Sequence, residues 1–179
     1  MATELDVLGM VSERLSAQGL AYMLTGSFAL AYYATPRMTR DLDLVVAITE
    51  RDVDTLVRAF DADFYVDGDA ARAAIRSGTL FNLMHLETGI KVDLIVQKSS
   101  EYRAVEFARR RPVEFAGIRT SIVAVEDLIL SKLVWARDTG SDVQRRDIVQ
   151  LLAGSVDLAY IQSWADRIGV AVLLESLLE

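Results

Sequence analysis

Asp41-Leu42-Asp43-Leu44-Val45-Val46-Ala47-Ile48 sets two carboxylates into an otherwise apolar run. Side chains two residues apart on a strand share a face, so Asp41 and Asp43 project together, opposite Leu42, Leu44 and Val46. Asp is depleted in strands. A pair at this spacing is either a solvated strand face or a cluster with a task. A second strand candidate, Ile90 to Val96, carries a third carboxylate, Asp93, between Val92 and Leu94. If the two strands lie close together, three carboxylates converge, and like charges a few ångströms apart resist simultaneous ionisation. A hard divalent cation removes that conflict. Mg²⁺ favours such oxygen ligands together with phosphates.

Outward from these strands, Tyr22 to Thr25 reads as a short strand that meets Gly26-Ser27 and then helical material to Ala34. Glycine allows close backbone approach, and a helix N-terminus offers free N–H groups to an anion. No Gly-Lys-Ser/Thr follows, so this is not a Walker loop. Arg37 and Arg40 precede the carboxylates. Their forked guanidinium groups suit a triphosphate, or pairing with Asp41 at the surface.

Leu5, Leu8, Val11 and Leu15 predict a helix over 3–18. Thr49 and Asp52 open a helix that runs to Phe60. A short strand near Phe64 and a helix over 69–76 follow. Leu80 to Leu86 and Ile90 to Val96 form strands joined at Thr88-Gly89. A two-residue turn there would pair Met84 with Asp93 and His85 with Val92. His85 then faces away from Asp93 as a packed side chain, while Asn82 shares the Asp93 face. A helix over about 100–109 and a strand pair split by Gly117 close an α+β body at about residue 122. Residues 123–179 read as a helical module, with starts at Glu126, Ser141, Asp157 and Val170 and a Ser141/Gln144 capping box.

That module holds a second anomaly. At about 100° per residue, Lys132 falls inside an apolar arc with Leu128, Ile129, Trp135 and Ala136, and the polar side is at Asp127 and Ser131. Asp147 sits similarly between Val143 and Leu151. A lone buried charge is expensive. The two therefore form an inter-helix ion pair, face a cleft, or do both. Arg109-Arg110-Arg111 complements a helix C-terminus or meets phosphates. Trp135, Tyr160 and Trp164 read as core. Leu173, Leu174, Leu177 and Leu178 either pack back or form a homodimer surface.

Composition bounds the chemistry. The 179 residues include no Cys and one His, which excludes thiolate metal sites, disulfides and a cysteine nucleophile. A net charge of −7 argues against generic nucleic-acid binding. No apolar run reaches the roughly 20 residues of a membrane helix. The acidic start Met1-Ala2-Thr3-Glu4 lacks the pattern of a secretion signal, and a cytoplasmic location is expected.

Gly26-Ser27, then Arg37-Met38-Thr39-Arg40-Asp41-Leu42-Asp43-Leu44, then Val92-Asp93-Leu94 resembles the polymerase-β-type nucleotidyltransferase superfamily. The chain is also similar to small bacterial proteins related to AbiEii-type toxins, over Phe81-Asn82-x-x-His85, Lys91-Val92-Asp93 and Glu126-Asp127-Leu128 through Asp147. The resemblance implies a mixed-sheet core flanked by helices, with a C-terminal helical module. It implies transfer of a nucleoside monophosphate from an NTP to a hydroxyl, with two Mg²⁺ ions held by Asp41, Asp43 and Asp93. Gly26, Ser27, Arg37, Thr39, Arg40, Asn82 and Asp147 would bind the nucleotide, and Lys132 would serve the same site. The acceptor is open: a protein side chain, a tRNA end or a small hydroxylated molecule. The competing expectation is a non-catalytic nucleotide- or partner-binding protein on the same fold, paired with an antitoxin-like partner.

Overall fold

A computed structural model describes residues 2–36 and 41–179. Arg37, Thr39 and Arg40 lie outside the described residues. Helix α1 (Glu4–Ala17) starts at Thr3, whose hydroxyl and Asp6 form a capping box. Its face of Val7, Leu8, Val11 and Leu15 is fully buried. Strand β1 (Tyr22–Thr25) leads into α2 (Gly26–Tyr33), and β2 (Asp41–Val46) holds the paired aspartates. A 3₁₀ turn (Glu50–Asp52) capped by Thr49 leads into α3 (Val53–Phe60). Then come β3 (Phe64–Val66), α4 (Gly68–Ser77), β4 (Leu80–His85), β5 (Lys91–Val96) and α5 (Glu101–Ala108). Strands β6 (Arg111–Phe115) and β7 (Ile118–Ile122) precede four helices: α6 (Val125–Thr139), α7 (Asp142–Leu152), α8 (Leu158–Ile168) and α9 (Ala171–Leu178).

Among the described residues the strands form one mixed sheet in the order β3-β4-β5-β2-β1-β7-β6. The central pair β2 and β5 runs parallel, as do β1 and β7; the other neighbours are antiparallel. Leu42, Leu44, Val92, Leu94 and Leu83 fill one face, in a core that also takes in the buried sides of α1, α3 and α4. A buried hydrogen bond between Ser12 and Thr120 (2.9 Å) joins α1 to β7. This is the α+β architecture expected. No helix of the described residues is long and apolar enough to cross a membrane.

Several local expectations change. The β4–β5 register is offset by two: Asn82 lies opposite Asp93 and Met84 opposite Lys91. A two-residue type I′ turn needs positive φ at both centres, which the β-branched Thr88 disfavours. Only Gly89 of this loop takes it (φ 68°). The chain instead closes a four-residue loop, with Thr88 Oγ1 hydrogen-bonded to His85 Nδ1 at 2.9 Å. Because the offset is even, every side chain keeps its face. His85 is buried against Phe64.

Trp135 is 51% exposed rather than core, whereas Trp164 is buried. Asp127, expected on the polar side of α6, is fully buried. It accepts from Arg109 Nε (2.8 Å) and the Tyr160 hydroxyl (2.7 Å), because α5 and α8 cover that side of α6. Of the three consecutive arginines, Arg110 alone bonds a carbonyl in the last turn of α5, that of Phe107; Arg111 donates to the Tyr33 hydroxyl. Ser141 caps α7 through the Gln144 N–H, but the Gln144 side chain turns inward and leaves the reciprocal half of the box unformed. Most of the terminal stripe packs back: Leu174 is buried, Leu173 and Leu177 lie against the core, and Leu178 is exposed.

Candidate active site

Parallel pairing of β2 with β5 sets Asp43 beside Asp93, and Asp41 beside Lys91. All four share one face of the sheet. On the other side of β2, Thr25 pairs with Asp43, so the β1–α2 junction meets the carboxylates. Gly26 takes positive φ (64°), and a Cβ added to it would stand 2.1 Å from Asp43 Oδ2. The carboxylate therefore occupies the space that any other residue at position 26 would fill. Beyond the glycine, the first turn of α2 receives no side-chain cap and contains no acidic residue. Buried Ser27 lies in that turn. A helix N-terminus in this setting suits an anion.

The carboxylates differ in their surroundings. Asp93 is paired with Lys91 Nζ at 3.2 Å and also accepts a hydrogen bond from the Asn82 amide. The hydrogen bond that Lys91 itself donates to Asp93 raises the Lys91 pKa. Asp43 has no hydrogen bond or ion pair with a described residue. Burial, and then the charges of Asp93 and Asp41, push its carboxyl up to about 6, against a partial offset from Lys132 and Lys91. Lys91 is a site neighbour that motif reading passes over, although its even spacing from Asp93 carries it to the same face.

Lys132 reaches this site from α6. Its ammonium donates to Asp147 Oδ2 (2.8 Å) and Gln144 Oε1 (3.0 Å), and both residues of the ion pair are almost fully buried. Gly26, Asp43 and Lys132 line one cleft of about 370 Å³, within the usual range for small-molecule sites. The cleft follows β2 to Val45, β5 from Ile95, and α6 from Leu128 to Thr139. A network that sequence reasoning missed forms part of its wall. Glu106, 2% exposed, accepts from Arg103 Nη1 (2.8 Å) and the Ser131 hydroxyl (2.5 Å). Burial raises the Glu106 carboxyl above its usual range, opposed by Arg103. An arginine and a glutamate three apart on α5 were the available signal.

The donor set fits a hard divalent cation. Two adjacent carboxylates on one face, the inner one resisting ionisation, are the arrangement such an ion relieves. Among the described residues no three acidic or histidine side chains already close around a common point. Mg²⁺ commonly takes one or two carboxylates and completes its shell with water and phosphate.

No family model matches the chain, and no curated protein does. Its fold is shared with solved structures. A nucleotidyltransferase-like antigenic protein of Paracoccidioides brasiliensis is 19% identical, covering 84% of this chain and 76% of its own, with a TM-score of 0.54. A nucleotidyltransferase-type protein from Thermotoga maritima is also 19% identical, over 79% of this chain and 90% of its own, with a TM-score of 0.53. The antibiotic-resistance factor ANT(2'')-Ia is 11% identical, over 95% and 94%, with a TM-score of 0.58. The chain has the nucleotidyltransferase fold.

Proposed function

We propose that this chain is a metal-dependent nucleotidyltransferase that moves a nucleoside monophosphate from an NTP to an acceptor hydroxyl and releases pyrophosphate. The observation that carries the reading is Asp43. It is pressed onto Gly26, set beside Asp93 and kept without a neutralising partner among the described residues, at a cleft that also contains the Lys132 ammonium. The fold comparison supports the same reading.

Asp41, Asp43 and Asp93 would hold Mg²⁺, which when bound supplies charge neutralisation at the entering and leaving oxygens of an in-line displacement. Gly26, Ser27 and the first N–H groups of α2 receive the β- and γ-phosphates. Lys132 adds positive charge there, and Asp147 and Gln144 fix its ammonium. Arg37, Thr39 and Arg40 are assigned to the triphosphate by the sequence pattern alone. The Asp93 carboxylate, oriented by Asn82 and Lys91, would take the proton that the acceptor hydroxyl loses. The acceptor oxygen bonds the α-phosphorus as the bond to the pyrophosphate oxygen breaks, and the electron pair leaves on pyrophosphate. Solved structures of this fold also include the lincosamide antibiotic adenylyltransferase LnuA with lincomycin bound and ANT(2'')-Ia in complex with adenylyl-2''-tobramycin. Small hydroxylated molecules therefore head the acceptor panel.

The test follows label from α-labelled ATP, GTP, CTP and UTP into candidate acceptors with Mg²⁺, together with pyrophosphate release. The expected result is metal-dependent transfer that falls at least about 1,000-fold in the Asp41→Asn, Asp43→Asn double variant, since metal charge stabilisation is worth several kcal/mol. Transfer that survives the double variant, or a wild-type chain that binds no NTP with metal, overturns the reading.

A further inference from the structure

Lys132 and Trp135 stand three residues apart on α6 and both line the cleft. Residues at this spacing are neighbours on a helix surface, here about 5 Å apart along the axis. Trp135 is 51% exposed in a structure that buries most of its large apolar side chains. Among the described residues no aromatic ring or guanidinium stacks on its indole. Val45, Ile95, Leu128 and Val134 make the adjacent lining apolar, and the Arg103–Glu106–Ser131 network supplies a polar edge.

We propose that Trp135 is the stacking surface for the nucleobase of the triphosphate, which makes it a substrate-binding residue of the site. The inference rests on the function proposed above. With the phosphates at Gly26 and Lys132, the nucleoside is covalently bound to occupy the neighbouring space, and the cleft continues there. Asp93, Asn82 and Lys91 do not line this cleft. They open onto the sheet face beside exposed Met84 on β4, which leaves that side for the acceptor. An indole offers a flat face to any base, so stacking here is tolerant of base identity.

The experiment measures Mg²⁺-supported binding of the four NTPs and of inorganic tripolyphosphate to the full chain, its Trp135→Ala and Trp135→Phe variants, and Asp43→Asn. Base–aromatic stacking predicts that Trp135→Ala weakens all four NTPs by roughly 5- to 150-fold and leaves tripolyphosphate unchanged, with Trp135→Phe restoring much of the loss. Asp43→Asn should weaken NTPs and tripolyphosphate alike. Unchanged NTP affinity in Trp135→Ala, or an equal loss for tripolyphosphate, overturns the assignment while the transferase reading stands. A Trp135→Ala defect confined to acceptor KM also overturns it. A wild-type chain that binds neither ligand overturns both.

Discussion

Asp127 and Asp43 are both withdrawn from water, and their surroundings are opposite. Asp127, at the start of α6, is fully buried and held on both oxygens, by Arg109 and by Tyr160. Arg109 also lies over the Tyr160 ring at 4.0 Å and pairs with Glu126. Burial pushes the Asp127 carboxyl up, and the hydrogen bonds from Arg109 and Tyr160 oppose that push. Asp43 is desolvated too, but its nearest charges include two further carboxylates, and its pKa rises to about 6. A buried charge that only joins helices arrives with its counter-charge. A buried charge left among its own kind is poised for something that comes from outside the chain.

The severest way to break this contrast is Arg109→Ala. It strands the fully buried Asp127 without its partly exposed cation, and a buried charged group left short of a partner costs about 3 kcal/mol. Urea unfolding should show that loss, with nucleotide affinity per folded molecule intact. A cost below about 1 kcal/mol would mean that Asp127 does not need its partner.

Asp43→Asn should act in the opposite direction. The folded carboxyl ionises at about 6 and the unfolded one at 3.8. Well below pH 3.8 both states are protonated and the substitution gains nothing. Above pH 6 the folded protein carries a charge that the unfolded chain carries more easily. The metal-free variant should therefore be more stable than wild type by about 2–3 kcal/mol at pH 8, with the gain shrinking as pH falls from 6 to 4. Saturating Mg²⁺ should stabilise wild type and not the variant. A variant less stable than wild type at pH 8 without metal would remove the contrast.

The smallest effect lies at another buried charge, Lys132, which has Asp147 as counter-charge and also lines the cleft. Gln144→Leu removes one of its acceptors and leaves the ion pair. The expected cost is about 1.5 kcal/mol, the lower end for a hydrogen bond to a charged group. Thermal unfolding measures it. No change would show that Gln144 does not help to hold the ammonium.

The sequence was legible where a short period speaks for itself. Alternation pointed to strands over 42–48 and 90–96 and to the shared face of Asp41 and Asp43, the observed strands are Asp41–Val46 and Lys91–Val96, and the parity survived a register shift of two. The arcs around Lys132 and Asp147 pointed to their meeting. What stayed hidden depends on tertiary neighbours. Helical phase alone put Asp127 toward water and Trp135 toward the core; Tyr102, Arg109 and Tyr160 cover Asp127, and Trp135 faces an open cleft. Gln144 fits a local cap as well as it fits a distant ammonium, and the choice is made by the ion pair beside it.

The parallel pairing of β2 with β5 also has a kinetic side. Between these strands the chain must build α3, β3, α4 and β4, and a long-range parallel pairing of this kind is a slow step in folding. Asp43 and Asp93 become neighbours only when that step closes, and their repulsion is first felt then. Until β2 and β5 join, the chain therefore holds only the Asp41–Asp43 pair of a single strand, and the three-carboxylate site is completed by the same step that closes the centre of the sheet.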